Sequence, residues 1–300
     1  MLWLRVIPIL LLIAANTVLH VTPLMVIAVF KALLPFETVR LACNPLLTGL
    51  AASWIGVNSG MIDRFTRTRF EVEAPAALRI DGHYLVLANH QSWVDILVLQ
   101  KVFNRRIPLL RFFLKRQLFW VPLLGLAWWA LDFPFMGRYS RAQIAKNPAL
   151  GLRDRETTRR ACAKFRSIPV SVMNFVEGTR FTPEKHDKQG SPYRHLLKPK
   201  SGGVAFVLDA MGDTLGSVLD VTIVYPGGRP TMLDLMGDRI PEVRVAVRER
   251  PIPTALLEGE ERDDAAYRAR FQRWVNGLWA DKDAEVGRLL GQDDATVARG

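Results

Sequence analysis

Residues 84–95 read Tyr-Leu-Val-Leu-Ala-Asn-His-Gln-Ser-Trp-Val-Asp, an apolar run that gives way at once to polar residues. The apolar part follows the turn signal Asp81-Gly82, and this pattern predicts a short buried strand. The next apolar stretch, residues 94–103, predicts a helix. Strands alternate with helices in α/β proteins, and such folds hold their reacting groups where strands end. These twelve positions therefore decide the fold class.

The chain beyond residue 62 repeats this alternation. Strands are predicted over residues 69–73, 84–88, 170–176, 219–225 and 243–248, and helices over residues 94–103, 110–120, 141–166, 203–210 and 265–280. This order predicts one α/β domain, residues 63–300, with a mixed, largely parallel sheet flanked by helices.

The first 62 residues have a different composition. Residues 6–30 contain no charged side chain, and as a helix they would extend about 37 Å, enough to cross a bilayer. A second uncharged stretch, residues 41–57, is shorter and contains Asn44 and Pro45. Residues 1–62 are therefore predicted to form a membrane-embedded helical hairpin. A cleaved secretory signal and a hairpin buried in the protein core are the alternatives, and the pattern fits both a span and a dip into one leaflet.

Positive charge flanks this hairpin at both outer ends. Arg5 precedes the first uncharged stretch, and Arg64, Arg67 and Arg69 follow the second. Because basic residues favour the cytoplasmic side of a membrane, we expect a protein of the inner (cytoplasmic) membrane whose α/β domain faces the cytoplasm.

Composition narrows the class of partner. The chain has 40 Lys and Arg against 29 Asp and Glu, a net charge of +11, so we expect a polyanionic partner: nucleic acid, an anionic membrane surface or a phosphorylated substrate. Cys43 and Cys162 are too few for a disulfide scaffold or a Cys-rich zinc module. The histidines lack metal-ligand spacing, so no metal is predicted. Zinc-finger, RRM and bZIP patterns do not occur, and nucleic-acid binding is kept only as an alternative.

His90 and Asp95 follow the predicted strand. On one regular helix, residues five apart would point about 140° apart, so His90 is expected in the turn and Asp95 in the first turn of the helix. The Asp95 carboxylate could then fold back onto imidazole Nδ1, leaving Nε2 to accept a proton. This would be the base half of a catalytic triad, with the nucleophile brought by a substrate. A structural histidine beside an unrelated helix-start aspartate is the alternative.

Four stretches, in order along the chain, carry a resemblance. The first is Asn89-His90 followed by Asp95, and the others are Phe133-Pro134-Phe135-Met136-Gly137-Arg138, Phe175-Val176-Glu177-Gly178-Thr179-Arg180 and Val221-Thr222-Ile223-Val224-Tyr225-Pro226. Together they resemble the sequence blocks of the glycerolipid acyltransferases, the family that includes the lysophosphatidic acid acyltransferases. The resemblance covers about residues 63 to 250.

The resemblance implies an activity. His90, oriented by Asp95, would deprotonate the sn-2 hydroxyl of 1-acylglycerol 3-phosphate, and an acyl thioester of coenzyme A or acyl carrier protein would donate the acyl group to give phosphatidic acid. No cofactor is implied beyond this donor substrate, and the active site would face the cytoplasm. Residues 181–186 and 191–200 are similar to a bacterial and eukaryotic subgroup of the family that includes acyltransferases acting on other lysophospholipids, so acylation of another lysophospholipid in remodelling is the alternative.

The other blocks are predicted to bind the substrate. Gly178 permits a tight turn after a strand, and Arg180 and Arg138 offer planar forks that suit a phosphate monoester. Glu177 is interpreted as an orienting partner of an arginine, and Pro226 has either a structural role or a place in an acyl pocket. The resemblance adds Lys115 as a phosphate ligand. The predicted substrate-binding set is Lys115, Arg138, Glu177, Gly178, Thr179, Arg180 and Pro226.

Residues 96–131 are basic and aromatic. They contain no acidic residue, and large apolar side chains alternate with Lys101, Arg105, Arg106, Arg111, Lys115 and Arg116. Cations beside aromatic rings predict an interfacial surface that attracts anionic membrane lipids. A solvated basic face is the alternative.

Overall fold

The computed structural model describes residues 2–34, 36–137, 146–166, 168–257 and 265–292. The helices of these residues are α1 Leu2–Leu33, α2 Glu37–Phe65, α3 Val94–Phe103, α4 Leu124–Ala130, α5 Pro148–Phe165, α6 Pro183–Gln189, α7 Gly202–Met211, α8 Met232–Met236 and α9 Ala265–Leu289, with 3₁₀ turns at Arg116–Trp120 and Thr254–Leu256. The strands are β1 Arg69–Glu73, β2 His83–Ala88, β3 Leu110–Phe112, β4 Leu114–Lys115, β5 Phe135–Met136, β6 Val170–Phe175, β7 Ser217–Val224 and β8 Glu242–Arg250.

Six of these strands form one sheet in the order β1-β8-β7-β2-β6-β3, and β4 pairs with β5 separately. All neighbours in the large sheet are parallel except β7 and β8, which are antiparallel. The predicted mixed, largely parallel sheet is therefore confirmed. Because β7, β2, β6 and β3 run in the same direction, the segments that follow them meet along one edge of the sheet, its carboxyl edge.

The two faces of the sheet are covered by helices. Leu85 and Leu87 of β2 point into a core formed with α5, α7 and α9, whereas Val86 and Ala88 point into a core formed with α3. This alternation is the period of a strand buried on both faces. Each fully buried Leu or Val side chain stabilises the fold by about 1.5–3 kcal/mol. Helices therefore pack against β2 on both faces of the sheet and fix the position at which the following turn begins.

The predicted helix over residues 110–120 is wrong. These residues form β3, β4 and a 3₁₀ turn, and β3 pairs with the edge of β6. The sequence pattern did not reveal β3 because its central residue, Arg111, is charged and yet buried. Nε of Arg111 donates to the Leu131 carbonyl oxygen at 3.2 Å, and the guanidinium lies 5.1 Å from the centre of the Phe165 ring. Burial lowers the pKa of Arg111 to about 10, and the nearby Asp132 carboxylate opposes that shift.

The other predicted elements differ mainly at their ends. α3 has the predicted bounds, α9 continues nine residues past the predicted end at residue 280, and the short helices α6 and α8 were not predicted. Of the helix predicted over residues 141–166, α5 accounts for the part after Asn147, and residues 141–145 lie outside the described residues. Asn147 caps α5 by accepting a hydrogen bond from the backbone N–H of Ala149.

The N-terminal helices α1 and α2 pack against each other through polar as well as apolar contacts. Asn16 donates to the side-chain oxygen of Asn58 at 2.9 Å, and His20 shares a hydrogen bond with Ser53 at 3.0 Å. The pair also contacts the α/β domain, where Lys31 bonds to Asp132 at 2.9 Å. The predicted helical hairpin ahead of the sheet is therefore confirmed. The division into two domains at residue 62 stays a prediction, and α2 continues three residues beyond that boundary, to Phe65.

The outer face of α1 is apolar and exposed. We define it by Leu4, Ile7, Leu11, Val18, Leu19, Val26 and Leu33, all more than half exposed. Among the described residues, α1 is the helix that is long and apolar enough to cross a membrane, and only 17% of its most apolar window is buried in the protein. An exposed apolar face of this length is unusual on a water-soluble domain.

Candidate active site

The turn after β2, residues 89–93, is fixed by a buried side chain. Asn89 donates from Nδ2 to the Ile223 carbonyl oxygen at 2.9 Å and accepts from the Ile223 backbone N–H at 2.8 Å. The side chain of Asn89 thus makes two hydrogen bonds to the backbone of β7, as the backbone of a strand residue would, although Asn89 lies beyond the end of β2. The next residue, His90, is thereby held at the carboxyl edge.

His90 and Asp95 are in direct contact. Nδ1 of His90 lies 2.8 Å from Oδ2 of Asp95, so the predicted fold-back of the carboxylate from the first turn of α3 is confirmed. The same oxygen accepts hydrogen bonds from the backbone N–H groups of Gln91 at 2.6 Å and Ser92 at 2.8 Å. With Nδ1 donating to the carboxylate, Nε2 of His90 carries the lone pair that can accept a proton.

Tyr225 completes the surroundings of Asp95. Its hydroxyl donates to Oδ1 of Asp95 at 2.6 Å, and the carboxylate is wholly buried. The pKa of Tyr225 is well above 10, first because the phenol is buried and second because the Asp95 charge lies beside it. Tyr225 therefore stays a neutral donor, and both carboxylate oxygens of Asp95 accept hydrogen bonds.

The imidazole of His90 is held between neighbours. Its ring stacks on the Phe175 ring at the end of β6, with centroids 3.9 Å apart and planes 14° apart. Its backbone N–H donates to Glu177 Oε1 at 2.9 Å, and its carbonyl oxygen accepts from the Phe181 N–H at 2.7 Å. The His90 side chain is 13% exposed, so part of the ring remains accessible from solvent.

The carboxylate of Glu177 accepts hydrogen bonds from two backbone N–H groups. It is fully buried, and its second oxygen accepts from the Leu197 N–H at 3.0 Å. Among the described residues, Glu177 bonds to these two backbone N–H groups and forms no ion pair with an arginine, so its interpretation as an orienting partner of an arginine stays a prediction. Burial raises the pKa of Glu177 to about 7, while the hydrogen bonds from His90 and Leu197 and the charge of Lys282 oppose that shift.

The turn after β6 brings Arg180 beside the start of α3. Gly178 has φ +68°, and a Cβ there would lie 3.0 Å from Cδ of Lys200, so both conformation and space favour glycine. Thr179 accepts a hydrogen bond from Lys185 Nζ at 2.8 Å. The exposed guanidinium of Arg180 lies 5.1 Å from the centre of the Trp93 ring. Among the described residues it forms no ion pair, so its planar fork is available to an anion.

Three predicted residues remain: Lys115, Arg138 and Pro226. Lys115 is exposed at the end of β4, where it pairs in register with Met136 of β5. Arg138, two residues after Met136, lies outside the described residues. Pro226 is exposed directly after Tyr225. The structure thus places His90, Asp95, Glu177 and the turn of Gly178, Thr179 and Arg180 together, and places Lys115 on the neighbouring small sheet.

Several residues of this site carry no role in the sequence-based prediction. Asn89 and Tyr225 enter it only as members of the four blocks, and Phe175 and Trp93 are assigned no function there. Tyr225 stands 130 residues from Asp95, so its bond depends on the pairing of β2 with β7. The one available signal is position, since each of these residues lies within one residue of the end of a predicted strand or the start of a predicted helix.

A separate apolar cavity lies near the opposite edge of the sheet. It has a volume of about 620 Å³ and is lined by α1, α2, α4, the end of α3 and the segment that leads into β3. Its lining includes His20, Phe103, Arg111 and Phe133 but no residue of the turn that holds His90. Among the described residues, no cluster of His, Cys, Asp and Glu could hold a metal ion.

Sequence comparison shows the family to which the chain belongs. The model of the Acyltransferase family matches residues 69–226, which is more than half of the chain and includes every site residue described above except Lys282, so this chain is a member of that family. It is similar to 1-acyl-sn-glycerol-3-phosphate acyltransferase gamma of Mus musculus, with 25% identity over 215 residues covering 67% of this chain and 52% of that protein. It is likewise similar to 1-acyl-sn-glycerol-3-phosphate acyltransferase 3 of Arabidopsis thaliana, with 26% identity over 227 residues covering 70% and 54%. The chain thus spans about half the length of these curated relatives.

A solved structure shares the fold. The crystal structure of the 1-acyl-sn-glycerophosphate (LPA) acyltransferase PlsC from Thermotoga maritima superposes with a TM-score of 0.52 and 17% identity, covering 93% of this chain and 98% of that one. The agreement extends beyond the matched family region to the N-terminal helices and the C-terminal part. The predicted resemblance to the glycerolipid acyltransferases is confirmed at the level of family and fold.

Proposed function

We propose that this chain is a membrane-bound acyltransferase that moves a fatty acyl group from an acyl thioester to the sn-2 hydroxyl of 1-acylglycerol 3-phosphate. The observation that carries the proposal is the buried Asp95 carboxylate bonded to His90 Nδ1, with the exposed Arg180 guanidinium at the same edge of the sheet. A base without a nucleophile of its own suits a reaction in which a substrate hydroxyl attacks. The names of the Mus musculus and Arabidopsis thaliana relatives support this acceptor.

The His90–Asp95 pair is suited to direct transfer. The acceptor hydroxyl would give its proton to Nε2 of His90 as its oxygen attacks the thioester carbonyl carbon. The imidazolium that forms is stabilised by the Asp95 carboxylate, which is held in place by hydrogen bonds from Tyr225 and two backbone N–H groups. The tetrahedral intermediate then expels the thiolate, and the proton on His90 passes to the sulfur. The products are an ester and a free thiol, and no acyl-enzyme is formed.

Arg180 is the proposed ligand of the acceptor phosphate. A guanidinium binds a phosphate with two parallel hydrogen bonds, and stacking on Trp93 leaves the N–H edge free for that contact. Lys115 and Arg138 are proposed as further phosphate ligands. Coenzyme A and acyl carrier protein are both proposed donors, since both carry an acyl thioester.

Membrane attachment is proposed through the apolar outer face of α1. Its exposed Leu and Val side chains would lie in hydrocarbon. The exposed Trp120, which precedes α4, and Trp129, which lies within it, suit the interface, where indole rings accumulate. The basic residues Arg105, Arg116 and Lys115 would add attraction to anionic lipids of about 1 kcal/mol each. We propose that the domain lies on the cytoplasmic side of the inner membrane, the side that basic residues flanking a hydrophobic segment favour.

The test uses purified full-length chain in detergent micelles. It is offered one acyl thioester with a panel of lysophospholipids that differ in headgroup, and products are identified by mass. We expect the diacyl product from 1-acylglycerol 3-phosphate, and we expect Asp95→Asn, the matched control, to lose it because an amide can hold the wrong tautomer of His90. Absence of acyl transfer to every lysophospholipid would refute the proposal.

A second acceptor class is supported by one observation. The chain is 28% identical over 133 residues to lysocardiolipin acyltransferase 1 of Danio rerio, and the match covers 40% of this chain and 32% of that protein. Preferential acylation of a lysophospholipid other than 1-acylglycerol 3-phosphate in the same panel would favour a remodelling enzyme.

A further inference from the structure

Three positively charged side chains lie at the carboxyl edge of the sheet, around the turn that follows β6. They are Arg180, Lys185 of α6 and Arg229, which lies five residues after the end of β7, and we call them the cation cluster. Among the residues that the structure describes, none of the three forms an ion pair with an acidic side chain. Cations gathered without counterions repel each other, so the cluster is a candidate anion site.

Lys185 is held against the turn by its ammonium. Nζ of Lys185 donates to the Thr179 hydroxyl at 2.8 Å and to the Arg180 carbonyl oxygen at 2.9 Å. Both acceptors are neutral, so they fix the position of the ammonium and leave its charge uncompensated. An ammonium has three N–H donors, and the third remains for a ligand.

Arg229 approaches the same turn from the loop after β7. Its Nη1 donates to the Phe181 carbonyl oxygen at 2.7 Å, and the Phe181 N–H donates to the His90 carbonyl oxygen at 2.7 Å. The loop is also anchored by Ser92, whose hydroxyl donates to the Pro230 carbonyl oxygen at 2.6 Å. Because a guanidinium has five N–H donors, the exposed Arg229 keeps four of them for a ligand.

These contacts bring Arg180 and Arg229 to the same part of the edge. The guanidinium of Arg180 lies over the Trp93 ring. The residue before Trp93 is Ser92, which holds the loop of Arg229. Arg229 is bonded in turn to Phe181, the residue after Arg180. The contacts thus return to their starting point and enclose a small area of the edge, next to the backbone of His90.

Positive charge exceeds negative charge at this rim. The nearby acid is the exposed Glu184, whose pKa is lowered first by the Thr182 hydroxyl and by smaller amounts by the charges of Arg229 and Lys185. Lys200 lies beside Gly178 and adds to the excess. A phosphate monoester carries close to two negative charges at pH 7, whereas a phosphodiester carries one. Because Coulomb attraction is proportional to the charge of the ligand, the excess favours the monoester.

We propose that Lys185 and Arg229 are specificity-determining residues that, together with Arg180, select an acceptor whose headgroup is a phosphate monoester over one whose phosphate is a diester. The inference rests on the proposed acyl transfer for its kinetics, whereas acceptor binding does not depend on that reaction. It narrows the acceptor class, because 1-acylglycerol 3-phosphate is a monoester and lysophospholipids with larger headgroups are diesters.

The experiment uses the full-length chain in detergent micelles and a matched pair of acceptors. One is 1-acylglycerol 3-phosphate, and the other is its phosphate methyl ester, which has the same acyl chain and one negative charge fewer. Calorimetry measures the Kd of each acceptor without a thioester. Since coenzyme A also carries a phosphate monoester, KM values are measured with an acyl thioester of coenzyme A and with one of dephospho-coenzyme A, which lacks that group.

The variants separate charge from structure. Lys185→Met and Arg229→Gln each remove one charge of the cation cluster, and Arg229→Lys keeps the charge but changes the shape of the donor. Lys188→Met is the matched control, because it removes an exposed lysine from the same helix outside the cluster. If Arg229→Gln fails to fold, Lys185→Met and Arg229→Lys carry the test.

We expect Lys185→Met and Arg229→Gln each to raise the Kd and KM of the monoester roughly tenfold, as for loss of one hydrogen bond to a charged group. The methyl ester has half the charge and should lose about the square root of that factor, roughly threefold. The preference for the monoester should therefore fall roughly threefold in each variant. Arg229→Lys should retain most of the preference, and Lys188→Met should retain all of it.

Three results would decide the matter. Equal losses for the two acceptors would overturn the inference, because Lys185 and Arg229 would then only support the turn. A rise in the KM of the coenzyme A thioester that is absent with dephospho-coenzyme A would also overturn it, because the cation cluster would then bind the donor. A preference for monoester binding that falls in the variants of a chain without acyl transfer supports the inference and refutes the proposed function alone.

Discussion

The carboxyl edge of the sheet buries polar side chains, whereas the outer face of α1 exposes apolar ones. At the edge, polar groups such as Asn89, Asp95 and Glu177 are buried, and each is matched by donors or acceptors of the same chain. On α1, apolar groups such as Leu11 and Leu19 are exposed, and none of the described residues covers them. The first region is specified by internal contacts, whereas the second depends on its surroundings. Substitutions at the edge should therefore change chemistry, and substitutions on α1 should change location.

The sharpest contrast comes from His90→Ala. Removing a general base lowers turnover by about 10²–10⁴-fold, and we expect this loss in kcat with normal thermal unfolding and normal association with vesicles. The His90 side chain contributes one stacked ring and one hydrogen bond, so the fold tolerates its removal. Turnover close to that of the unchanged chain would show that the buried polar edge has no catalytic part.

A lysine on the outer face of α1 tests the other half of the comparison. Leu19 lies near the middle of α1 and is 69% exposed, and Leu33 lies at its end and is 73% exposed. A lysine at the centre of a membrane helix costs about 2.5–3.5 kcal/mol, whereas one at the end extends its ammonium to water. Leu19→Lys should therefore lower the vesicle partition coefficient by roughly 10²-fold, and Leu33→Lys should change it little. Equal behaviour of the two variants in flotation would mean that the face lies in water.

Glu177 makes stability depend on pH in a defined direction. Because its pKa is raised to about 7 in the folded chain from 4.5 in the unfolded chain, the stabilising effect of its proton is complete below about pH 4.5 and is lost as the pH rises through 7. Between about pH 5 and 8, the unfolding free energy should fall by roughly 2 kcal/mol more in the unchanged chain than in Glu177→Gln.

Denaturant unfolding in detergent at both pH values measures this difference. His186, whose pKa is raised by its bond to the Tyr193 carbonyl oxygen, titrates equally in both proteins and cancels. Parallel pH dependence of the two proteins would mean that Glu177 is already ionised at pH 5.

The smallest expected effect concerns the anion site at the rim of the edge. Arg180→Lys keeps the charge but loses the paired hydrogen bonds, so kcat/KM for the phosphate-bearing acceptor should fall roughly tenfold. The KM of the acyl thioester should stay unchanged and serves as the internal control. A loss confined to the thioester would assign Arg180 to the donor and remove the main physical support for a phosphate-bearing acceptor.

Sequence reasoning succeeded where contacts are local. His90 and Asp95 are five residues apart, and the angle between them on a helix was enough to place one in the turn and the other on α3. The bonds of Asp95 to Tyr225 and of Glu177 to Leu197 join segments whose approach depends on strand order, which spacing does not reveal. The strand β3 was not predicted, because the charged residue Arg111 interrupts the apolar pattern that a buried strand should show.

The antiparallel strand β8 could not be placed for a related reason. Its residues alternate like those of any strand, but its place between β1 and β7 follows only from tertiary pairing. The four blocks were found by their resemblance to the glycerolipid acyltransferases, whereas Lys282 lies outside them, within a helix, and carries no local mark of its buried position.

The position of β8 sets the order in which the molecule can be built on the ribosome. Arg69 of β1 pairs with Glu242 of β8, 173 residues later in the chain. At about 5–20 residues per second, β1 waits roughly 10 to 30 seconds for its neighbour to be synthesised. During that time its exposed edge carries Arg69, Glu71 and Glu73, charges that discourage pairing with another nascent chain. α1 leaves the ribosome before the strands of the sheet, and Lys282 leaves it after β8, so the turn that holds His90 is made before α9 can pack against β7.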